Sequence, residues 1–550
     1  MNRNNHALRH TRRWGPALLS MIACCILPNQ SQAATPIKVT TAIDAQHYQA
    51  ACTLRDAVEN VTSRNQDGST ACPAGTGDDS IIFEGVNTIA LDPMLGEIEI
   101  GEDVKLQIRG GAGNVQLNGQ LATRIFRING AGTRVYFNNI HFRDANAMSG
   151  GRGGAVYVDG ARTVDFIDVR FDNNSAATGG GGLAVDGNGT NLGLLDTVFF
   201  QNQSLGDENG DNGFGGALDI TGTINALVFN TDFGFNQARS GGAIHCETGG
   251  TKTMLAITGG MNGKEKGTFE GNIAWAPNSD LYGPNGGGAI YNRCPIRVIS
   301  TRFVRNFALG KGAGIYHASG GHAAFIDNTV FRDNAFLEAS DVEGNGLGGA
   351  IASEGPIEVQ NSSFTGNTAS RGAALHIRGT QDEEVLIANS SILKNTAWDT
   401  GAGIFFQGAV NVAGIWNLTI QGNTGMDSFH FDKPGSGAEV DVNNTIIMST
   451  GNTANCGGDL HAVHGGPSNL QRGDPSIDTC LFVGGMPFGD PGFGSTSQAS
   501  YFPYTSYLPI SSAADAAQGG DTLVCKELGR DQIGQPRNVL ACSIGAVEPF

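Results

Sequence analysis

The middle of the chain repeats two short patterns, and this repetition constrains the fold more than any other feature of the sequence. The first pattern is Phe or Ile followed three positions later by Asn, and its nine copies lie 28 to 36 residues apart. These nine pairs are Phe171/Asn174, Phe199/Asn202, Phe233/Asn236, Phe269/Asn272, Phe303/Asn306, Phe331/Asn334, Phe364/Asn367, Ile392/Asn395 and Ile420/Asn423. The second pattern is a small Gly/Ala patch leading into a short apolar strand, and its copies begin at Gly153, Gly181, Gly215, Gly241, Gly287, Gly312, Gly348, Gly372 and Gly401. A period of this length with many short strands is typical of solenoids, propellers and arrays.

Each repeat carries one more β-rich segment, such as VDFIDVRF or AAFIDNTVF, in which apolar and polar residues alternate. The repeats lack amphipathic helical stretches, which disfavours leucine-rich, ankyrin and helical arrays. A propeller blade would need four longer strands in roughly 40 residues. The repeat therefore predicts an all-β fold: a right-handed parallel β-helix with one repeat per coil and with N- and C-terminal caps over its exposed edges.

In such a fold each repeated position has a structural role. We expect the Phe side chains to fill the core, the Asn side chains to form a hydrogen-bonded ladder from coil to coil, and the first Gly of each patch to form a tight corner. Neither the Phe nor the Asn column is expected to be catalytic. A second polar column stands three residues before the Phe or equivalent apolar position, and we expect a ladder there too. Its members are Asn139, Asp168, Asp196, Asn230, Ser300, Asn328, Asn361, Asn389, Asn417 and Asn444.

The N-terminus has the features of a secretory signal peptide over residues 1–33. Four arginines precede an apolar stretch from Trp14 to Leu27, and Ser31-Gln32-Ala33 resembles a cleavage site. The apolar stretch is too short to span a bilayer, and no later stretch is longer, so we expect no transmembrane segment in the mature chain. Lipid attachment at Cys24 is an alternative that the preceding Met21 disfavours. The expected location is the exterior or the cell surface of a bacterium.

The charge of the chain excludes some partners. The formal net charge is −18, and removal of residues 1–33 would take away four Arg and no acid. So negative a chain is not expected to bind nucleic acid or an anionic membrane. Its acidity is compatible with binding cations or simply with solubility.

Ten cysteines are present, and eight of them follow the predicted signal peptide. An even number in an exported chain predicts disulfides. Proximity in the sequence predicts the pairs Cys52–Cys72, Cys456–Cys480 and Cys525–Cys542. The remaining Cys246 and Cys294 end the apolar strands of consecutive repeats, which predicts a bridge between neighbouring coils.

Three segments resemble known families. Ala51-Cys52-Thr53-Leu54-Arg55-Asp56-Ala57-Val58 resembles the CSLREA domain, with Thr53 and Asp56 as departures from its signature. Asp531-Gln532-Ile533-Gly534-Gln535-Pro536-Arg537 and Cys542-Ser543-Ile544-Gly545-Ala546-Val547-Glu548 resemble the C-terminal domain of choice-of-anchor Q surface proteins, which usually have Arg at 533 and Asp at 543. The repeats resemble those of chlamydial polymorphic outer-membrane proteins, which are autotransported adhesins. Together these resemblances imply an exported protein with a pectate-lyase-like β-helix.

The resulting division of the chain is a signal peptide at 1–33, an N-terminal CSLREA-like cap at 34–80, the parallel β-helix at 81–450 and a choice-of-anchor Q-like region at 451–550. Repeat length varies through three insertions, at 204–213, 273–286 and 336–346, which lie between an Asn and the next Gly patch. We expect all three to project from one corner of the β-helix, where function often lies.

The insertions contain acidic residues beside aromatic residues, a combination that suits Ca²⁺ and sugar contacts. The candidate ligand-binding residues are Asp207, Glu208, Asp211, Trp275, Asp280, Tyr282, Glu338 and Asp341. The alternative is that these loops are merely solvated. Two functions fit the sequence: adhesion or glycan binding without catalysis, or a polysaccharide lyase or glycoside hydrolase acting on an acidic polysaccharide. We expect the first, because no basic, acidic and aromatic residues converge on one column over three coils.

Overall fold

The computed structural model describes residues 36–549 except 102, 148–150, 205, 207–212, 248–252, 261–264, 276–285, 321, 338–345, 380–383, 409–411, 433–439, 462, 467, 473–479, 484–485, 501–502, 513, 518, 539 and 541. The predicted signal peptide therefore lies outside the described residues. Over the described part, the chain forms a right-handed parallel β-helix with three long sheets, which confirms the predicted fold class.

Sheet A has 26 strands in two arms joined by a bend. The first arm contains Ile98–Ile100, Phe126–Asn129, Val156–Asp159, the first half of Leu183–Leu195 and of Leu218–Phe229, Ile244–Glu247, Ile290–Asn292, Ile315–His317, Ile351–Ser353, Leu375–Arg378, Ile404–Gln407, Asp427–Asp432 and Ala454–Gly458. The second arm contains Ile37–Val39, Asp78–Phe83, Lys105–Arg109, Arg134–Asn138, Thr163–Ile167, the second half of the two long strands, Met254–Thr258, Ile296–Ile299, Ala324–Asp327, Ile357–Gln360, Glu384–Ala388, Val412–Trp416, Val440–Asn443 and Val463–His464.

Sheets B and C have 14 and nine described strands. Sheet B contains Thr88–Ala90, Val115–Asn118, Ile140–Arg143, Arg170–Asp172, Val198–Phe200, Asp232–Gly234, Thr268–Glu270, Arg302–Val304, Val330–Arg332, Ser363–Thr365, Ser391–Leu393, Thr419–Gln421, Ile446–Met448 and Leu470–Arg472. Sheet C contains Asn146–Ala147, Ser175–Ala176, Gln203–Ser204, Gln237–Ala238, Ile273–Ala274, Phe307–Ala308, Ala335–Phe336, Thr368–Ala369 and Thr396–Ala397.

Each coil passes through both arms of sheet A, then sheet B, then sheet C, and returns through the Gly patch. The neighbouring strands of successive coils pair in parallel, so that Phe171 lies beside Phe199 and Ala176 beside Ser204. Strand pairing also continues outside 81–450, because Ile37–Val39 pairs with the strand at 78–83 and Leu470–Arg472 with the strand at 446–448.

The Phe column fills the core as predicted. The rings from Phe171 to Phe364 are fully buried in one cluster. Neighbouring rings along this column are nearly parallel, with centroids 4.6 to 5.0 Å apart. Each coil buries one such large side chain together with several Val, Ile and Leu side chains, and this burial drives the packing of the three sheets.

The Asn that follows each of these apolar residues forms the predicted ladder. The side-chain Nδ2 of each Asn from 174 to 395 donates to Oδ1 of the Asn in the next coil, at 2.8 to 3.0 Å. In Asn202, Nδ2 also donates to the carbonyl of Phe171, and Oδ1 accepts from the backbone N of Asn174. The amides are fully buried with their hydrogen bonds made, as buried polar groups require.

The second polar column differs from the prediction. All ten of its members have φ between 47° and 55°, the left-handed region that Asn and Asp tolerate better than most residues. Their side chains share no single contact: Asn328 donates to Ser300 Oγ, whereas Asn361 donates to Asp327. The column thus marks the turn between sheets A and B, and its residue preference comes mainly from backbone conformation.

The Gly patches form the corner between sheets C and A. The first Gly of each patch has a positive φ, and a Cβ at Gly287 would lie 2.2 Å from the carbonyl oxygen of Ile290. A side chain is therefore excluded there. In the second repeat the equivalent residue is Gly180 and not Gly181, because Leu183 pairs with Val156.

All four predicted disulfides are present. Cys52–Cys72, Cys246–Cys294, Cys456–Cys480 and Cys525–Cys542 have Cα atoms 4.7 to 6.4 Å apart. The Cys246–Cys294 bridge joins neighbouring coils, since Cys246 pairs in register with Asn292.

Helix α1, Leu54–Ser63, packs against the first strands of sheet A. Thr53 caps its N-terminus by accepting from the backbone N of Asp56. The Arg55 guanidinium is buried, forms an ion pair with Asp44 and donates to the carbonyl of Glu97. These contacts fasten residues 44–63 to the N-terminal coils. Capping itself stays a prediction.

Residues 486–549, here called the C-terminal segment, fold back along the outer face of sheet B. The segment contains the antiparallel pair Ser497–Gln498 and Ser506–Tyr507, a 3-10 turn at Asp515–Ala517 and helix α2, Thr522–Leu528. Gln532 contacts Ser391, and the backbone N of Ala546 donates to Thr419 Oγ1.

Candidate functional site

The three insertions leave the β-helix from one corner. Each follows the last residue of a sheet C strand, and the register aligns Ser204, Ala274 and Phe336 in one column. They return at Phe214, Gly286 and Leu347, each of which bridges to the coil beside it. The described ends of all three insertions therefore lie along one edge, here called the insertion corner.

Seven of the eight candidate site residues lie outside the described residues. They are Asp207, Glu208, Asp211, Asp280, Tyr282, Glu338 and Asp341. The eighth, Trp275, lies on the insertion corner with 39% of its surface exposed. The ligand-binding role of all eight stays a prediction.

Other coils place apolar side chains at the position that Trp275 occupies. Leu337 is 39% exposed, Trp398 51% and Met426 65%, and Leu309 is half-buried. The backbone N of Trp275 donates to the carbonyl of Ala238, and that of Trp398 to Ala369, which keeps both residues in register with the neighbouring coils. We call Trp275, Leu309, Leu337, Trp398 and Met426 the apolar row.

Four of the five residues of the apolar row were not predicted from the sequence. Each stands three positions after the Asn of its repeat, as in Asn272 to Trp275 and Asn395 to Trp398. That position could have been read as a column, like the Phe and Asn positions. The Trp398 ring lies 6.1 Å from the ring of Phe336, which packs beneath the row.

A charged cluster lies on the outer face of the first arm of sheet A, where the insertions return. Arg152 contacts Asp219 and lies 3.0 Å from Asp186, and His245 Nδ1 lies 2.8 Å from Asp219. Burial alone would raise the pKa of Asp219, but the Arg152 charge and the His245 hydrogen bond outweigh burial and hold this pKa below its usual range. Each charge in the cluster thus has an opposite charge beside it.

Aromatic rings continue this outer column toward the C-terminus. The His245 ring stacks between Phe214 and Tyr291, at 4.6 and 5.0 Å between centroids. Lys311 Nζ lies 5.3 Å from the centroid of Tyr316. His245 is therefore part of a packed column beside the insertion corner.

Two other histidines, His317 and His376, lie in the equivalent strands of later coils and are buried. Burial lowers the pKa of His317 to about 4 and that of His376 to about 3. His317 Nδ1 lies 3.0 Å from Asn292 Nδ2, and its Nε2 lies 2.9 Å from the carbonyl of His322. The low pKa of both histidines is the expected cost of placing a charge away from water.

The described residues contain no group of three or more His, Cys, Asp or Glu side chains arranged to hold a metal ion. A Ca²⁺ site built from the acidic insertion residues would lie in loops that the structure does not describe, so it stays a prediction. Within the described ranges, no helix has the length and apolarity needed to cross a bilayer.

Comparison with known proteins gives two similarities. The repeat of the Chlamydia polymorphic membrane protein family matches residues 168–186 and 266–293, each of which spans a Phe/Asn pair and the following Gly patch. The crystal structure of pectate lyase Pel9A is similar with 13% identity and a TM-score of 0.29, over 90% of this chain and 100% of that one. A similarity this weak carries no argument, and the fold rests on the strand pairing. No curated protein matches the chain.

Proposed function

We propose that this chain is an exported, surface-associated β-helix protein that binds a polysaccharide or another cell-surface ligand at the insertion corner without turning it over. The apolar row carries this proposal. Trp275 and Trp398 stand four coil steps apart on one edge, about 19 Å at the spacing of paired strands. That length suits an extended oligosaccharide.

A row of exposed apolar side chains along one edge is typical of an interaction surface, because water-facing apolar rings contribute little to the stability of a coil. Their flat faces suit the apolar faces of sugar rings. The predicted residues Asp280 and Tyr282 follow Trp275 in the same insertion, and Glu338 and Asp341 follow Leu337. Carboxylates in those loops would bind sugar hydroxyls or Ca²⁺ beside the aromatic contacts.

Export is supported by the four disulfides, which persist in oxidising compartments. The match to a polymorphic membrane protein repeat supports a surface location. The CSLREA-like and choice-of-anchor Q-like segments, which rest on sequence resemblance, agree with both.

Binding without turnover is favoured by the state of the basic residues near the insertion corner. A lyase needs a Lys or Arg that takes a proton from its substrate. Arg152 pairs with Asp219, and Lys311 pairs with Glu354. Burial alone would lower the pKa of Arg152, but the charge of Asp219 outweighs burial and raises this pKa, so the guanidinium stays charged and cannot accept a proton.

The apolar row can be tested with Trp275→Ala, Trp398→Ala and the double variant. We expect each single variant to weaken binding to a positive polysaccharide from a glycan array by about tenfold to thirtyfold, as for an aromatic contact residue. Phe235→Ala is the matched control, because Phe235 is 53% exposed but follows sheet B instead of sheet C. The affinity of the Phe235→Ala variant for the polysaccharide should equal that of the wild type.

Equal loss of binding in the Trp variants and in Phe235→Ala would contradict the proposed surface, as would full affinity in the double variant. Replacement of 276–285 by a short Gly-Ser linker tests the loop residues separately and should remove binding while the thermal transition stays in place. Release of unsaturated sugars from a uronate polymer by the wild type, measured by ultraviolet absorbance, would favour the lyase alternative.

A further inference from the structure

The first arm of sheet A begins with an open edge. Its first strand, Ile98–Ile100, pairs with Phe126–Asn129 on one side. The second arm continues for two more strands toward the N-terminus, Asp78–Phe83 and Ile37–Val39. Among the described residues, no strand pairs with the other side of Ile98–Ile100. A strand edge of this kind is a template on which another chain can add a strand.

This edge presents the peptide group of Glu99. The backbone N of Ile98 donates to the carbonyl of Ile125, in the neighbouring coil. Successive residues of a parallel strand bond to opposite sides, so the N–H and C=O of Glu99 point away from that coil. The carbonyl of Glu97 points the same way and accepts from Arg55 of α1 at 2.9 Å. Neither backbone group of Glu99 has a hydrogen-bond partner in the described part of the chain.

Helix α1 runs alongside the edge and leaves a groove of about 630 Å³ between itself and residues 95–99, here called the N-terminal groove. Arg55 bonds to the strand at one end. At the other end, Thr62 Cγ2 lies 2.6 Å from the position that a Cβ on Gly101 would occupy, so helix and strand are in close contact there. Glu99 lines the groove between these two ends. A volume of several hundred Å³ is typical of sites that enclose a ligand.

The lining of the N-terminal groove carries negative charge. Two of its charged residues are paired within the protein, as Arg55 with Asp44 and Glu97 with Arg124. The other two, Glu59 and Glu99, form no ion pair with a described residue. Arg127 stands beside Glu99 in the next strand, but its guanidinium pairs with Asp159 at 3.1 Å. A cationic group in the groove would therefore meet two carboxylates that have no direct partner.

A hydroxyl and apolar groups complete the lining. Thr62 Oγ1 is buried and lacks a hydrogen-bond partner within the described residues. Such a buried polar atom is uncommon in a folded protein and calls for a ligand or a water. Leu95 and Ile98 also line the groove and supply apolar surface. An extended peptide matches this combination, because it offers backbone N–H and C=O groups together with side chains that point to alternate sides.

We propose that the N-terminal groove binds an extended peptide segment of a partner protein, which pairs with Glu99 as an added strand and places a Lys or Arg side chain beside Glu59 and Glu99. Main-chain hydrogen bonds supply the affinity, and the cationic side chain supplies the selectivity. A small cation would leave the peptide group of Glu99 unpaired. A second copy of this chain suits the groove less, because its formal net charge of −18 opposes an acidic site. The groove is separate from the insertion corner and does not depend on the proposed glycan binding.

The test screens a bead library of random acetylated hexapeptides against the full mature chain with its disulfides intact. We expect the bound peptides to be enriched in Lys or Arg beside β-branched residues. The tightest peptide is then measured by titration calorimetry, and N-methylation of its central residues should weaken binding by about tenfold or more, because it removes strand donors and keeps the charge. The proposal is overturned if no cationic peptides are enriched or if the N-methylated peptide keeps full affinity.

Glu59→Lys and Glu99→Lys should each weaken binding of this peptide by about tenfold or more. Asp459→Lys is the matched control, because Asp459 is exposed near the C-terminal end of the β-helix, and its affinity should equal that of the wild type. Thr62→Val keeps the shape of the wall and should also weaken binding, which covers the case in which a charge variant misfolds. Equal affinity of the wild type, both Glu variants and Thr62→Val would refute the site. Self-association in analytical ultracentrifugation that Glu99→Lys abolishes would assign the groove to a second copy and overturn the proposed partner.

Discussion

The repeated coils and the C-terminal segment are held by different kinds of contact. In the coils, equivalent residues contact each other in successive repeats, so that Asn367 bonds to Asn395 in the way that Asn334 bonds to Asn367. In the segment, the contacts with the coils are unique and join distant parts of the chain, such as Arg537 and Asn389. A repeated contact can be lost once with local effect, whereas a unique contact has no copy to replace it.

The two regions also bury different groups. The coils bury a continuous apolar column with the amide ladder beside it. The segment buries the guanidinium of Arg537, which contacts Glu548, Asn389 and the carbonyl of Gly545. Burial lowers the pKa of Arg537, and the attraction of Glu548 only partly offsets this effect. Docking of the segment therefore combines a small apolar cluster, in which Ile510 and Ile544 pack against Ile446, with a small number of buried polar contacts.

The largest expected effect follows from removing that buried charge. Arg537→Met leaves Glu548 and Asn389 without their partner, and breaking a buried ion pair costs about 3–5 kcal/mol. We expect residues 520–548 to lose hydrogen-exchange protection while the coils from 120 to 350 keep theirs. Arg530→Met is the control, because Arg530 is exposed. If Arg537→Met loosened coils and segment together, the two regions would form one cooperative unit.

A change of pH should affect the stability of the coils and the docking of the segment differently. In the coils, the pKa of His317 is about 4, below its value in the unfolded chain, so the neutral form stabilises the fold above about pH 6.5. This stability, about 3 kcal/mol at most, is lost as the pH falls from about 6.5 through 4. In the segment, burial raises the pKa of Asp531 and of Glu548, so the dependence of stability on pH has the opposite sign. Their contribution is present at low pH and is lost as the pH rises through their folded-state pKa values.

We therefore expect acidification from pH 7.5 to 5 to lower the hydrogen-exchange protection of the coils that contain His317 and His376, but not the protection of the segment. Hydrogen exchange at both pH values measures both quantities. His317→Gln should reduce the pH dependence of these coils and leave that of the segment unchanged. A parallel loss of protection in both regions at pH 5 would contradict the assignment.

The sequence predicted the coils well because each position occurs many times. The Phe and Asn columns, the Gly corner and the bridge between Cys246 and Cys294 all followed from the period. The second polar column was misinterpreted because Asn and Asp serve equally well in a ladder and in a left-handed turn. The neighbouring contacts of Asn361 and Asn389 differ, so no single side-chain role explains that column.

The C-terminal segment and the site were harder to predict. The contact between Arg537 and Asn389 joins residues more than a hundred positions apart and occurs once, so no repetition indicates it. One feature of the sequence does indicate the docking face. At the outward position of sheet B, Arg302 is followed in the later coils by small or apolar residues, which the segment buries. They are Val330, Ser363, Ser391, Thr419, Ile446 and Leu470. The apolar row stands at a repeated position, but the residue type at that position differs from coil to coil, which left the members beyond Trp275 unrecognised.

A single rung of the ladder gives a smaller expected effect. Asn367→Ala removes the donor to Asn395 and to the carbonyl of Phe331. It also removes the Oδ1 that accepts from the backbone N of Asn334 and from one N–H of its Nδ2. An unpaired buried amide costs about 1–3 kcal/mol. We expect a lower unfolding free energy in denaturant titration, with hydrogen-exchange protection lost mainly in the two neighbouring coils. Uniform loss over all coils would mean that the β-helix unfolds as one unit.

The smallest expected effect distinguishes the two roles of the second polar column. Asp168 is exposed and has a φ of 53°, so Asp168→Gly removes the strain of the left-handed conformation and adds some unfolded-state entropy. These terms oppose each other, and we expect the unfolding free energy to stay within about 0.5 kcal/mol of the wild type.

Asn389 has a φ of 47° but also accepts from Arg537 and donates to the carbonyl of Arg530. Asn389→Gly should therefore lower the free energy of docking of the C-terminal segment by about 1–3 kcal/mol, measured through the hydrogen exchange of 520–548. Equal protection in the two variants would mean that Asn389 is only a turn residue and that Arg537 holds the segment without it.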